Sequence, residues 1–286
     1  MAAIRYVVLD FDGTCTQIER IEAKFLADYG KAIGADDKAW AAALEAVRKA
    51  SPTAGWTLHH APSTAPAAAD PYILCGEAAG LLVREKRIAQ PPHDVFARLS
   101  AANVAPFRPE LVDVLAGLAK KRINIGFISN SDSAAITTRI RDLLTAVPKL
   151  RDRVQIIGNA AKFAIRELPF APAVPGVGPV QRARFEALPP AVAASTVNRP
   201  LYLRRGAYFE ALCALYHAFG DDSFPIEKTL VCGDIWELDL AMPAVLGAQV
   251  HLIERAAPYA TYPYELAAME SPKHVSANLK GLLKRV

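Results

Sequence analysis

The chain has 286 residues, enough for one large domain or two. Its 52% hydrophobic and 22% charged residues are those of a globular protein and exclude a disordered one. The formal charge of +4 is spread thinly, with no block of lysines or arginines that would form a nucleic-acid arm, and no apolar run is long enough to cross a bilayer.

The chain opens with an apolar run, "IRYVVLD" from Ile4, that ends in "DFDGT". No secretory signal pattern precedes it, and the expected location is the cytoplasm. The run lacks the alternation of a half-exposed strand, so it predicts a central strand covered on both faces. Asp10 closes that strand, and Gly13 permits a sharp turn. Side chains two apart on extended backbone lie on one side, so Asp10 and Asp12 can face a common site. An Asp-Gly turn with no further role is the alternative reading of this stretch.

About a hundred residues without a convincing strand follow, too many for a crossover loop. "IERIEAKFLADYGKAIG" and "DDKAWAAALEAVRKA" have helical spacing, and the second opens with acids suited to a helix N-terminus. Residues 17–105 are therefore expected to form a mostly helical insertion into a core made of residues 1–16 and 106–286. His59 and His60 in "GWTLHHAP" could touch a ligand from the insertion, although loop histidines commonly have no function.

The second strong strand is "INIGFISNSD" from Ile123, preceded by the helical "ELVDVLAGLAKK". Ser129 ends it, Asn130 follows, and "SAAITTRIRDLL" reads as a helix. A hydroxyl ahead of free helix amides makes an anion site. A weaker strand, "RVQIIGN" from Arg153, comes next. Residues 169–200, beginning "PFAPAVPGVGPV", hold too many prolines and glycines for continuous regular structure and are expected to form a loop or flap.

After the helical "YFEALCALYHAF" comes the third strong strand, "TLVCGD" from Thr229, leading into "GDIWELDLAMP". Pro243 suits the first turn of a helix, so a helix is expected from about Met242 to Gly247, with Asp234 and Asp239 in the loop before it. "AQVHLIE" from Ala248 is a last, weaker strand. Strands alternating with helices predict an α/β fold with a doubly wound parallel sheet, whose chemistry collects beyond the carboxyl ends of its strands.

Asp10, Asp12, Asp234 and Asp239 then share one sheet edge. Four carboxylates there repel one another unless a hard divalent cation binds them, and oxygen-only ligands suit Mg²⁺. The four cysteines, Cys15, Cys75, Cys213 and Cys232, lie far apart, which argues against a zinc site or disulfide framework and fits a reducing compartment.

Taken together, "DFDGT" at Asp10 to Thr14, Ser129, and "GDIWELD" at Gly233 to Asp239 resemble the signatures of the haloacid dehalogenase-like superfamily of phosphohydrolases, in order and across the whole core. The long insertion sits where that family carries a helical cap. The resemblance implies a Rossmann-like core and a Mg²⁺-dependent phosphatase acting on a small phosphorylated metabolite. It implies Asp10 as nucleophile, Asp12 as general acid and base, and Ser129 with Gly13, Thr14 and Asn130 around the phosphate. Mg²⁺ would lie on Asp10, the Asp12 carbonyl and Asp234, supported by Asp239.

One position departs from the pattern. The family's usual lysine ahead of the last motif strand is missing from "NRPLYLRRGAYFEAL", and Arg205 takes its place at the usual distance from Asp234, with Arg204, Lys162 and Lys228 as rivals. A phosphomutase would share every one of these residues, and a fold kept only for binding would be consistent with a missing lysine. A dehalogenase does not need the acid at Asp12. Trp56 to Tyr72 and the proline-rich segment are the expected substrate selectors.

Overall fold

The computed structural model describes residues 3–57, 62–169, 174–194, 197–269, 271 and 274–286. His59 and His60 lie outside the described residues.

The five expected strands form, and a short sixth joins them at the edge. In chain order they are β1 (Tyr6–Leu9), β2 (Asn124–Ile128), β3 (Val154–Ile157), β6 (Thr229–Gly233), β7 (Gln249–Ile253) and β8 (Val275–Ser276). The sheet order is β3-β2-β1-β6-β7-β8, and every neighbouring pair is parallel. The winding direction reverses between β1 and β6, which opens a crevice at the carboxyl ends of those two strands. Leu9 lies in register with Phe127 and with Cys232, so Asp10, Ser129 and Asp234 emerge along one rim.

The central strands β1, β2 and β6 are buried because both faces of the sheet are covered, whereas β3 and β8 at its edges are half-buried. Tyr6, Val8 and Val231 pack with α8 (Gly206–Ala218) residues such as Leu212 and Leu215. Val7, Leu9, Ile125 and Phe127 pack with α5 (Leu111–Lys120) and α6 (Ser133–Leu144) on the other face.

Between β1 and α5 the described residues form four α-helices: α1 (Glu22–Ala32), α2 (Asp37–Ala50), α3 (Pro71–Arg84) and α4 (His93–Ala102). They enclose their own apolar cluster, including Phe25, Trp40, Leu74 and Leu82. Asp36 caps α2 by accepting from Ala39 N at 3.0 Å, and Asp70 caps α3 by accepting from Ile73 N at 2.7 Å. Tyr259, from the loop after β7, is also packed in this cluster.

Two expectations are corrected. Residues 169–200 are not simply a loop. They contain α7 (Pro179–Glu186) and the antiparallel pair β4 (Ala191–Ala194) with β5 (Val197–Tyr202). Pro179 opens the helix, where its missing N–H costs nothing, and Pro200 lies in a two-stranded ribbon, both of whose strands are edges. Likewise Asp239 is not in a loop. It belongs to a π-helical turn, Trp236–Leu240, in which Ala241 N donates back to Trp236 O, and which runs into the short helix α9 (Ala241–Val245). Pro243 leaves the Asp239 carbonyl without its helical donor, and Tyr208 Oη supplies one at 2.9 Å.

Candidate active site

Asp10, Asp234 and Asp239 are buried at the carboxyl ends of β1 and β6, each with a carboxylate oxygen within 4.8 Å of the others. Burial favours protonation here: desolvation raises the carboxyls of Asp10 and Asp234, the charge of Asp239 raises both further, and that of Asp10 adds to the rise at Asp234. Cations oppose this at both carboxyls, Lys162 at Asp10 and Arg255 at Asp234. Lys162 Nζ lies 2.5 Å from Asp10 Oδ1 and 2.5 Å from Asp239 Oδ1, and its own pKa is driven up by those carboxylates against burial. Thr14 Oγ1 donates to Asp234 Oδ1 at 3.0 Å. Asp234 Oδ2 is buried and has no hydrogen-bond partner among the described residues.

The backbone is shaped around that orphaned oxygen. Gly13 has φ +82°, and a Cβ there would stand 2.5 Å from Asp234 Oδ2. Asp239 is held from both sides, since its Oδ2 accepts from Ile235 N at 3.0 Å. An oxygen-only cluster with one uncompensated carboxylate oxygen fits a hard divalent cation.

Asp12 turns away from this group and accepts a short hydrogen bond from Ser131 Oγ, a partner that sequence reasoning did not single out. Its carboxyl is also raised by burial, with Ser131 and the charges of Arg139 and Lys162 pulling it down. Ser129 Oγ accepts from Ser131 N at 3.1 Å, which fixes the turn between β2 and α6. The amides of α6 are not all free as expected, because Asp132 caps the helix through Ala135 N at 2.9 Å. Asn130 Oδ1 accepts from Lys162 N at 2.7 Å, so it positions the lysine's backbone.

The cation beside Asp10 is Lys162 and not Arg205, which was expected there. Arg205 is fully buried one layer back. Its guanidinium donates to three carbonyls, Tyr202 O at 3.1 Å, Lys162 O at 2.9 Å and Thr64 O at 2.7 Å. Arg204 points to Glu167 and the carbonyls of Leu188 and Glu186, and Lys228 is exposed at the amino end of β6. Spacing from Asp234 favoured Arg205. Topology would have favoured Lys162, which follows β3 at the rim where the other motif residues emerge.

Cys15 donates to Asp10 O at 3.1 Å and is fully buried, and desolvation raises its thiol well above the usual range. It is no thiolate.

Comparison with solved structures gives the fold. A predicted phosphoglycolate phosphatase of Haemophilus somnus superposes with a TM-score of 0.51 at 12% identity, over 100% of this chain and 99% of that one. The chain has the haloacid dehalogenase-like fold. L-2-haloacid dehalogenase of Xanthobacter autotrophicus (TM-score 0.49, 14% identity, 98% and 97% covered) and CbbY of Rhodobacter sphaeroides in complex with phosphate (0.47, 12%, 96% and 95%) are also similar. No protein-family model and no curated protein matches the sequence. Within the haloacid dehalogenase-like fold, the sheet and its flanking helices agree with the architecture expected from sequence. Among the described residues, no helix is long and apolar enough to cross a membrane.

Proposed function

We propose that the protein is a Mg²⁺-dependent phosphatase that cleaves a small phosphomonoester through an aspartyl-phosphate on Asp10. The observation that carries this reading is Lys162 Nζ at 2.5 Å from both Asp10 and Asp239, beside an Asp12 that bonds a serine instead of a cation. A nucleophile needs its charge held but not removed, and a general acid needs to be kept protonated. Lys162 holds the charge of Asp10, and burial, against the Ser131 hydrogen bond, favours the protonated form of Asp12.

In this reading one oxygen of Asp10 attacks phosphorus and the ester P–O bond breaks. The departing alkoxide takes the proton of Asp12, whose carboxyl burial favours in the protonated form. Asp12, now a carboxylate, accepts a proton from water as the water oxygen bonds phosphorus. The acyl–phosphate bond breaks, which restores Asp10 and releases inorganic phosphate. Lys162 offsets negative charge beside the transferred group throughout. Ser129 Oγ, which accepts from Ser131 N, has its own proton to donate to a phosphoryl oxygen.

Asp10, Asp234 and the Asp12 carbonyl would hold Mg²⁺, with Asp239 supporting them through Lys162 and the π-helical turn. When bound, Mg²⁺ supplies positive charge against the phosphoryl oxygens. The four-helix segment is a cap over the site, and its loop before α3 reaches the rim, where Trp56 packs edge-on to Phe163 with ring centroids 5.1 Å apart. With Lys162 present, no missing cation argues for a fold kept only for binding.

The test is phosphate release from p-nitrophenyl phosphate and a panel of small phosphomonoesters, with and without Mg²⁺. Turnover that requires Mg²⁺ and is lost in D10N is expected. Metal-independent turnover, or a D10N variant as active as wild type, would refute the mechanism.

A further inference from the structure

Lys162 is tied down at every polar atom it has. Its Nζ is shared by Asp10 and Asp239, its N–H is taken by Asn130 from the β2 turn, and its carbonyl is taken by Arg205 Nη1 at 2.9 Å. The surrounding segment is stapled to the same arginine by backbone. Arg166 and Arg205 form a parallel bridge, Arg166 N donates to Arg204 O, and Gly206 N donates to Arg166 O.

Among the described residues Arg205 is the largest fully buried side chain, and its guanidinium donates to backbone carbonyls, not to a carboxylate. A buried guanidinium satisfied by neutral carbonyls is costly unless the fork geometry is met, so its position is tightly specified. Its second terminal nitrogen, Nη2, donates to Thr64 O at 2.7 Å, in the loop that leads into α3. One rigid, planar group thus bonds the backbone of the lysine at the reaction centre and the backbone of the four-helix segment.

We infer that Arg205 is a positioning residue that couples seating of the cap to placement of Lys162. When the loop carrying Thr64 lifts, Arg205 loses an acceptor in a buried site and its grip on the Lys162 carbonyl loosens with it. The ammonium is then in register with Asp10 only while the cap is seated, so phosphoryl transfer is restricted to a covered site. The inference rests on the proposed role of Lys162 but concerns a different residue, and one arm of its test does not depend on turnover.

That arm is the rate at which limiting acetic anhydride acetylates Lys162, read by mass spectrometry against the other lysines. In wild type Lys162, whose side chain is 2% exposed, reacts far more slowly than surface lysines. R205K keeps the charge but has no fork to bridge two carbonyls. It is expected to melt cooperatively, to acetylate Lys162 at least about 10-fold faster with surface lysines unchanged, and to lower kcat about 100-fold with KM within about threefold, the scale of a 1 Å misplacement. If R205K loses its cooperative melt, R205M, which buries no unpaired charge, is read instead. In a K162M background the R205K penalty on residual turnover should shrink to about twofold, because the effect passes through the lysine.

Unchanged acetylation and kcat in a well-folded variant would overturn the inference. So would loss of folding in both variants, or an undiminished penalty in the K162M background. If the wild type hydrolyses nothing, the phosphatase reading fails, and the acetylation arm still decides the link between Arg205 and Lys162.

Discussion

Arg199 and Glu237 form a two-point ion pair in the interior: Nη1 donates to Oε2 at 2.7 Å, Nη2 donates to Oε1, and the side chains are 7% and 0% exposed. Glu237 lies in the π-helical turn between Asp234 and Asp239, and Arg199 lies on β5, where its Nε also donates to Pro52 O. Tyr264 Oη donates to the same carboxylate at 2.5 Å. The ribbon from the proline-rich segment therefore braces the turn that sets the spacing of the two aspartates.

R199A would leave Glu237 buried with only a tyrosine for a partner. A stability loss of about 3–5 kcal/mol is expected, the range for removing one member of a buried pair. R199M combined with E237Q should recover most of it, because no charge is then stranded. Urea midpoints at equal slope measure this, and a loss below about 1 kcal/mol in R199A would show that the pair is not needed.

The parts of this site that were legible in the sequence are those written as local pattern. Apolar runs ending in Asp10, Ser129 and Asp234 gave the strands, their parallel pairing and the rim, because a strand buried on both faces must be apolar throughout. Ser131, Arg199 and the true place of Lys162 were not legible. Ser131 meets Asp12 across 119 positions and Lys162 meets Asp10 across 152, contacts that only sheet order creates. β8 has two residues, too short for any periodicity. The π-helical turn was missed because Pro243 marks a helix start without showing what precedes it.

Asp234 gives a prediction whose sign depends on metal. Without a cation, its buried charge is opposed by Asp10 and Asp239 and one oxygen is unsatisfied. D234N should therefore melt at or above wild type in EDTA. With Mg²⁺ the order should reverse, since binding to the folded state alone adds about 2.7 kcal/mol at 100 times Kd. Thermal melts of both proteins with EDTA and with Mg²⁺ make the comparison. If wild type shows no rise with Mg²⁺, the cluster does not hold that ion.

Gly13 is the point where backbone shape and charge meet. Its φ of +82° disfavours any L side chain, and a methyl group would stand 2.5 Å from Asp234 Oδ2. G13A is expected to cost about 1–3 kcal/mol in stability from the strained backbone. It should also abolish the Mg²⁺-induced rise in melting temperature, because Asp234 must move. Retention of that rise in a folded G13A would mean the oxygen is not part of the cation site.

His251 sets a pH limit away from the site. It is fully buried on β7, its Nε2 is 2.7 Å from Ser276 Oγ, its Nδ1 has no partner among the described residues, and burial together with Arg285 and His274 lowers its pKa from 6.5 to about 4. The folded protein therefore keeps the ring neutral where the unfolded chain protonates it. Between pH 6.5 and about 4 the unfolded state binds more protons, so stability rises with pH there and is lost as pH falls, by about 1.4 kcal/mol per pH unit at most. H251Q removes the titration and keeps a polar group for Ser276. Urea midpoints at pH 7 and pH 4.5 should fall further in wild type than in H251Q, by about 2 kcal/mol of stability. Parallel losses in the two proteins would show that His251 is not the residue that titrates.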